Sequence, residues 1–116
     1  MFDALERVFH ERGRLAICSA LVAEGVSPMS FRQLQDVCDL TDGNLNRHLH
    51  ALAELGVVAI VRKTGGGRPQ TLVRITSKGR ERFLAYIDAL EAVVRSVQQS
   101  AAAHPAKGRT QRLVTE

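Results

Sequence analysis

The chain has 116 residues, 45% of them apolar and 24% charged, with a formal net charge of +4. That is enough for one domain with its own core and too little for two. No apolar run approaches the roughly 18–20 residues of a membrane span. With no tryptophan and one tyrosine, the chain has little from which to build an aromatic peptide- or sugar-binding face.

In chain order, Phe2, Leu5, Val8 and Phe9 fall at helical spacing and predict a short N-terminal helix to His10. Asp3, Glu6 and Glu11 interrupt any secretion-signal core, so the expected compartment is cytoplasmic. Arg12 to Glu24 repeats the helical pattern with Leu15, Cys18, Leu21 and Val22, and Gly25 supplies a terminator. Ser27-Pro28-Met29 reads as a connector. Ser30-Phe31-Arg32-Gln33 is a capping box of the S-x-x-Q form, opening a helix that buries Phe31, Leu34, Val37 and Cys38. After Asp39 and Leu40, Thr41 offers a hydroxyl cap to a helix that runs to Leu55, stops at Gly56 and carries the stripe Leu45, Leu49, Leu52 and Leu55.

The period then changes. Val57 to Val61 is short and β-branched and reads as a strand, Thr64 to Pro69 as a turn, and Leu72 to Ile75 as a second strand. Thr76 caps a last helix from Ser77 to about Ala103, ended by His104-Pro105. Residues 104–116 are polar and basic with little to bury and read as a disordered tail, leaving 1–103 as the domain.

Cys18 and Cys38 lie in apolar helical patterns and read as reduced core residues. His48 and His50 are two apart on a helix, so they point about 200° away from each other and cannot chelate one ion. His48 is expected at the edge of the core. His10 and His104 have no Ser or Cys nucleophile beside them in sequence, and Asp88 and Glu91 read as surface charges. Gly65-Gly66-Gly67 lacks both the Gly-Lys-Ser/Thr ending and the strand–helix flanks of a phosphate loop. No enzyme activity, metal site or cofactor is expected. Between Arg62 and Arg82 lie Arg62, Lys63, Arg68, Arg74, Lys78, Arg80 and Arg82 against one acid, Glu81, a basic stripe suited to an anionic polymer.

The order helix, helix, helix, hairpin, long helix, with Asp39-Leu40-Thr41 joining the second and third, predicts a mainly α fold with a small β-hairpin (α+β), a winged helix-turn-helix. Arg14-Leu15-Ala16-Ile17-Cys18, Ser30-Phe31-Arg32-Gln33-Leu34, Leu45-Asn46-Arg47-His48-Leu49, Leu55-Gly56-Val57-Val58 and Ile75-Thr76-Ser77-Lys78-Gly79-Arg80 together resemble the small winged-helix regulators of the MarR and ArsR groups. The resemblance runs from roughly Leu5 to Val97. It implies a prokaryotic, cytoplasmic, DNA-binding homodimer that usually represses transcription. It does not extend to the ligands of ArsR-type metal sensors, since no Cys-x-Cys lies on the recognition helix and no Asp/His ladder on the last one.

At about 100° per residue, Leu45, Leu49 and Leu52 mark the buried side of helix 41–55. Gly43, Arg47, His50 and Glu54 lie opposite, Asn46 and Ala51 on the flanks, and Asn44 near the N-terminus. Arginine forks onto guanine and asparagine onto adenine, while Gly43 lets a phosphate approach the exposed N–H groups. Arg68 at the hairpin tip suits a phosphate or the minor groove. The expected contacts with double-stranded DNA are Arg32, Gln33, Thr41, Gly43, Asn44, Asn46, Arg47, His50, Lys63, Arg68 and Lys78. Helix 41–55 would enter the major groove and hairpin 57–75 would lie on flanking backbone or in the minor groove. A winged helix can instead serve as a protein-interaction module; the basic hairpin favours DNA. No small-molecule effector is assigned.

Phe83, Ile87, Leu90, Val94, Val97 and Ala101 follow one another at steps of 4, 3, 4, 3 and 4, a heptad seam. Its first part can pack on its own domain, but a helix of roughly 27 residues is about 40 Å long, more than so small a domain covers. Completed by Phe2, Leu5 and Phe9, this seam is the expected homodimer interface, which makes the N- and C-terminal helices the dimerisation elements.

Overall fold

A computed structural model describes residues 4–104. Phe2 and residues 105–116 of the expected tail lie outside the described residues. A single 3-10 turn at Arg7–Phe9 leads into α1 (Arg12–Glu24), β1 (Met29–Ser30), α2 (Phe31–Cys38), α3 (Asp42–Glu54), β2 (Val58–Lys63), β3 (Gln70–Ile75) and α4 (Ser77–Ala103). The sheet is antiparallel in the order β1-β3-β2, with Val58 opposite Ile75, Lys63 opposite Gln70, and Met29 opposite Val73. This is the α+β winged helix-turn-helix the sequence predicts.

The predicted caps form. The Ser30 hydroxyl accepts from the Gln33 N–H at 3.1 Å and the Gln33 side chain accepts from the Ser30 N–H at 2.9 Å, closing the capping box. Thr41 and Thr76 accept from the N–H groups of Asn44 and Gly79 and start α3 and α4. Gly25, at φ 87°, ends α1. Asp39 ends α2 in the left-handed region at φ 54°, a conformation that Asp tolerates better than most side-chain-bearing residues.

The core is drawn from every layer: Ile17, Cys18 and Leu21 of α1, Leu34 of α2, Leu45, Leu49 and Leu52 of α3, Val57 and Val73 at the sheet, and Phe83 and Tyr86 of α4. Three local expectations change. The predicted N-terminal helix reduces to one turn, because Phe9 is withdrawn completely from solvent against Phe83 and Tyr86, at centroid separations of 5.3 and 5.5 Å. A hydrogen bond of 2.9 Å also joins His10 Nδ1 and the Tyr86 hydroxyl, so this segment straps onto α4 instead of following its own helical period. Val37 and Leu55, expected in the core, are 64% and 44% exposed, and Phe31 and Cys38 are half-buried. α2 has only eight residues, and Leu34 alone on it is buried. The expected connector at Met29 supplies a third strand, and β2 and β3 extend outward to Lys63 and Gln70. Ladder hydrogen bonds continue there between exposed residues, where hydrophobic alternation carries no signal.

α4 meets the start of the hairpin without a side chain between them. A Cβ on Gly79 would lie 2.1 Å from the Val57 carbonyl oxygen and 2.7 Å from its Cα. Nothing lies within 4 Å of a Cβ at Gly65. Gly79→Ala is therefore expected to cost about 1–3 kcal/mol or more in urea unfolding, whereas Gly65→Ala should stay within about 0.5 kcal/mol of the parent. Equal effects would show that the close approach carries no constraint.

Candidate nucleic-acid interface

α3 buries Leu45, His48, Leu49 and Leu52 and leaves Gly43, Asn44, Asn46, Arg47 and His50 exposed. The α2–α3 turn is tied by the Gln35 amide, which donates to the Asp42 carboxylate at the start of α3. Arg47 Nη2 donates to Asn44 Oδ1 at 3.1 Å, and the ring nitrogen Nδ1 of His50 lies 2.8 Å from the Asn46 carbonyl oxygen. Nothing lies within 4 Å of a Cβ at Gly43, so internal packing does not require glycine there.

Two recesses flank this face. One, of about 530 Å³, is lined by Gly43, Asn46 and His50 on the helix side and by Ile60, Arg62 and Thr71 on the hairpin side. The other, of about 320 Å³, is lined by Asn44, Arg47 and His48 together with Glu11, Arg12, Gly13 and Cys38. A third, of about 580 Å³, brings Arg32 of α2 and Arg68 of the hairpin tip to the same hollow, beside Asp42.

The expected basic stripe is not one surface. Arg62 and Arg68 face the side of α2 and α3, and Lys63 and Lys78 are exposed. Arg74 and Arg80 line a separate recess with Gly25 and Val26. Arg82 grips both carboxylate oxygens of Glu6, at 2.5 and 3.2 Å, and Nη1 donates to the Leu55 carbonyl at 3.2 Å. Its guanidinium serves the fold, joining the N-terminal strap, the end of α3 and α4, and hydrogen bonding to Glu6 keeps it firmly protonated. Among the expected DNA contacts, Gln33 Oε1 and the Thr41 hydroxyl oxygen accept hydrogen bonds as helix caps.

Sequence reasoning placed His48 at the edge of the core but missed its partners, which come from a distant segment. Arg14 Nη1 lies 3.3 Å from His48 Nδ1, and Arg14 Nε donates to the Val8 carbonyl at 2.6 Å. Arginine can only donate, so Nδ1 accepts and the neutral ring carries its hydrogen on Nε2. That nitrogen faces Glu11 Oε1 at 3.6 Å. A Cβ on Gly13 would lie 2.7 Å from Nε2, so glycine at this point of α1 makes room for the ring. Burial, helped by the charges of Arg47 and Arg14, holds the His48 pKa below its ordinary 6.5 despite the opposing Glu11. Burial works against the Glu11 carboxylate too, but the N–H groups of Arg14 and Gly13 and the charges of His48 and Arg14 outweigh it and lower its pKa. Burial also pushes the Cys18 thiol up to about 12, with Cys38 adding to the rise, and raises Cys38. Both cysteines are free thiols, held away from the reactive thiolate form.

The expected dimer residues divide. Phe9 and Phe83 are 0% and 3% exposed inside the chain's own core, which corrects their assignment to an intermolecular seam. Leu5, Ile87 and Leu90 are half-buried against that core, while Val94 and Val97 are 47% and 62% exposed.

A helix-turn-helix whose second helix keeps a bare polar face, followed by an arginine-bearing hairpin and a long helix, defines a winged helix-turn-helix protein. The chain belongs to the winged helix DNA-binding domain family, whose model matches residues 14–94. It is similar to the uncharacterized protein MJ0432 of Methanocaldococcus jannaschii, 37% identical over 81 residues that cover 70% of this chain and 86% of that protein. Among solved structures it is similar to the transcriptional regulator homologue protein from Pyrococcus horikoshii OT3, with 32% identity, a TM-score of 0.73, and coverage of 79% of this chain and 89% of that one. The overoxidized AbfR bound to DNA shares the fold at 18% identity and a TM-score of 0.56, over 88% of this chain and 82% of that one. The protein is a DNA-binding regulator of the winged-helix class. Among the described residues, no helix is long and apolar enough to cross a membrane, and no group of three or more His, Cys, Asp or Glu is placed to hold a metal ion.

The cluster at α3 makes stability depend on pH. With His48 held below 6.5, the unfolded chain takes up a proton that the folded chain resists. The associated stability is complete above about 6.5 and is lost as pH falls through the lowered value. Glu11, held below 4.5, adds a separate loss at lower pH. Urea unfolding is expected to show stability falling by up to about 1.4 kcal/mol per pH unit over the His48 window, and His48→Gln should flatten that window while leaving the acidic loss. An unchanged slope in the variant would refute the assignment.

Proposed function

We propose that the protein is a homodimeric transcriptional regulator that reads a specific duplex sequence and represses by occupying its site. α3 enters the major groove, and the hairpin of β2 and β3 lies on the flanking backbone or in the minor groove. The observation that carries this reading is the outward face of α3. Its exposed side chains are polar, its first turn has a glycine that packing does not demand, and Arg32, Arg62 and Arg68 stand beside it. Arg47, held by Asn44, suits a guanine edge, and Arg68 and Lys63 suit phosphates. AbfR, which shares the fold, is bound to DNA in its solved structure, and this supports DNA as the partner.

Dimerisation is supported by the distal half of α4, where Val94 and Val97 are exposed beyond Leu90. Burying an apolar side chain contributes roughly 1.5–3 kcal/mol, against an association cost of about 4–15 kcal/mol. The interface therefore needs most of the distal helix from both copies. A twofold pair would set the recognition helices roughly 34–36 Å apart, across successive major grooves, and would favour a pseudo-palindromic site.

A mobility-shift series on random and then selected duplexes tests the DNA reading. With roughly 6–10 phosphates contacted, affinity should fall about 10³–10⁵-fold between about 50 and 200 mM salt. Arg47→Ala should cost about 1–3 kcal/mol on the preferred site and relax one base preference, while Arg68→Ala should weaken all duplexes alike. Salt-insensitive binding, or none at low salt, would favour a protein-interaction module instead. Val94→Asp combined with Val97→Asp should give folded monomers in sedimentation and much weaker DNA binding; a parent that is already monomeric at tens of micromolar would overturn the dimer.

A further inference from the structure

The exposed face of α3 contains one ring whose hydrogen-bonding role is fixed by the backbone. His50 Nδ1 lies 2.8 Å from the Asn46 carbonyl oxygen. A carbonyl oxygen can only accept, so Nδ1 carries the ring hydrogen, and in the neutral imidazole Nε2 is left with a lone pair. His50 is exposed and lines the recess between α3 and the hairpin. A neutral His50 thus presents an acceptor at a defined place on the helix. Arg47, three residues earlier, presents only donors and is held in place by Asn44.

The two residues are set about 4.5 Å apart along the helix axis, three residues at about 1.5 Å each. The step between base pairs is about 3.4 Å, so the two side chains have the spacing to address different pairs. In the major groove, guanine offers acceptors and thymine an acceptor and a methyl group. The donors there are the N6 amino group of adenine and the N4 amino group of cytosine. An acceptor at His50 is matched by those two amines and opposed by the carbonyl oxygens of guanine and thymine.

We propose that His50 is a specificity-determining residue that accepts a hydrogen bond from the exocyclic amine of an adenine or cytosine. The inference rests on α3 being the recognition helix and goes beyond it by naming the chemical group that His50 selects. Arg47 and His50 together give the helix a donor and an acceptor, which fixes the order of complementary groups along the site.

The test begins with sites selected from a random duplex library by the parent protein and by His50→Ala, at about pH 8. One base pair should lose its preference in the variant, and its amine-bearing member, adenine or cytosine, is the base that His50 reads. That base is then replaced by an analogue that lacks the amine, purine deoxyriboside for adenine or 2-pyrimidinone deoxyriboside for cytosine. The parent should lose roughly 2- to 10-fold in affinity, the scale of one neutral hydrogen bond, while His50→Ala binds both duplexes equally. His50→Lys, a donor only, should place guanine or thymine on the strand where the parent prefers adenine or cytosine. No loss on amine removal in the parent, or the same loss in His50→Ala, would overturn the proposal. Sequence-selective binding in which no position responds to His50→Ala would overturn this inference alone. Failure of the parent to select any sequence would overturn the recognition-helix reading with it.

Discussion

Where the end of α3, the start of β2 and the start of α4 converge, the chain brings backbone against backbone. The Val57 carbonyl accepts from the Thr76 N–H at 2.9 Å, and the Thr76 hydroxyl donates to the Gly56 carbonyl at 2.6 Å while accepting from the Gly79 N–H at 2.9 Å. Gly79 leaves no side chain between α4 and Val57. Thr76 thus works at once as helix cap and as a clamp on the preceding turn. Any residue with a Cβ at position 79 pushes α4 away from the hairpin and breaks both roles. The hairpin and the long helix take their orientation relative to α3 from this contact.

The other side of α3 is held by a different chemistry. His48 occupies the space Gly13 vacates, accepts from Arg14 and faces Glu11, while Glu11 also caps α1 and Arg14 grips the Val8 carbonyl. Buried polar groups are costly unless partnered, and no buried side-chain nitrogen or oxygen among the described residues lacks a partner. With His48 and the leucines turned inward and the junction at Val57 fixing its end, α3 keeps Asn44, Asn46, Arg47 and His50 exposed for an external surface. Even these are disciplined locally, since Asn44 holds Arg47 and the Asn46 carbonyl orients His50.

Much of this was legible in the sequence because it is local. Ser30, Thr41 and Thr76 announce three helix starts, and the leucine spacing of 45–52 fixes which face of α3 is buried. What was not legible depends on partners far along the chain. Phe2, Leu5, Val8 and Phe9 have a helical period, yet Phe9 is claimed by Phe83 and Tyr86. Tyr86 stands three residues from Phe83, a spacing that could have marked it as core, but it lies off the heptad row of Phe83, Ile87 and Leu90. β1 is too short to show any alternation. The ring of His48 gives no sign in sequence of which charges it meets, because Glu11 and Arg14 are more than thirty positions away.

The basic run from Arg62 to Arg82 shows most clearly how folding redistributes what a sequence displays as one feature. Strand pairing carries Arg62 and Arg68 towards the α2 and α3 side and Arg74 to another recess, and the helical turn brings Arg82 onto Glu6 and the Leu55 carbonyl. Arg82 is therefore a mechanical residue in a run that reads as electrostatic. In the proposed dimer this matters, because α4 would set the distance between the two copies of α3. Three ties join α4 to the end of α3: the Thr76 clamp, the Gly79 contact and the Arg82 bond to Leu55. None of them is a flexible linker. The spacing of the two recognition helices would then belong to a rigid unit, and a change in spacing would require breaking backbone contacts at Val57 or pulling Arg82 away from both Glu6 and Leu55.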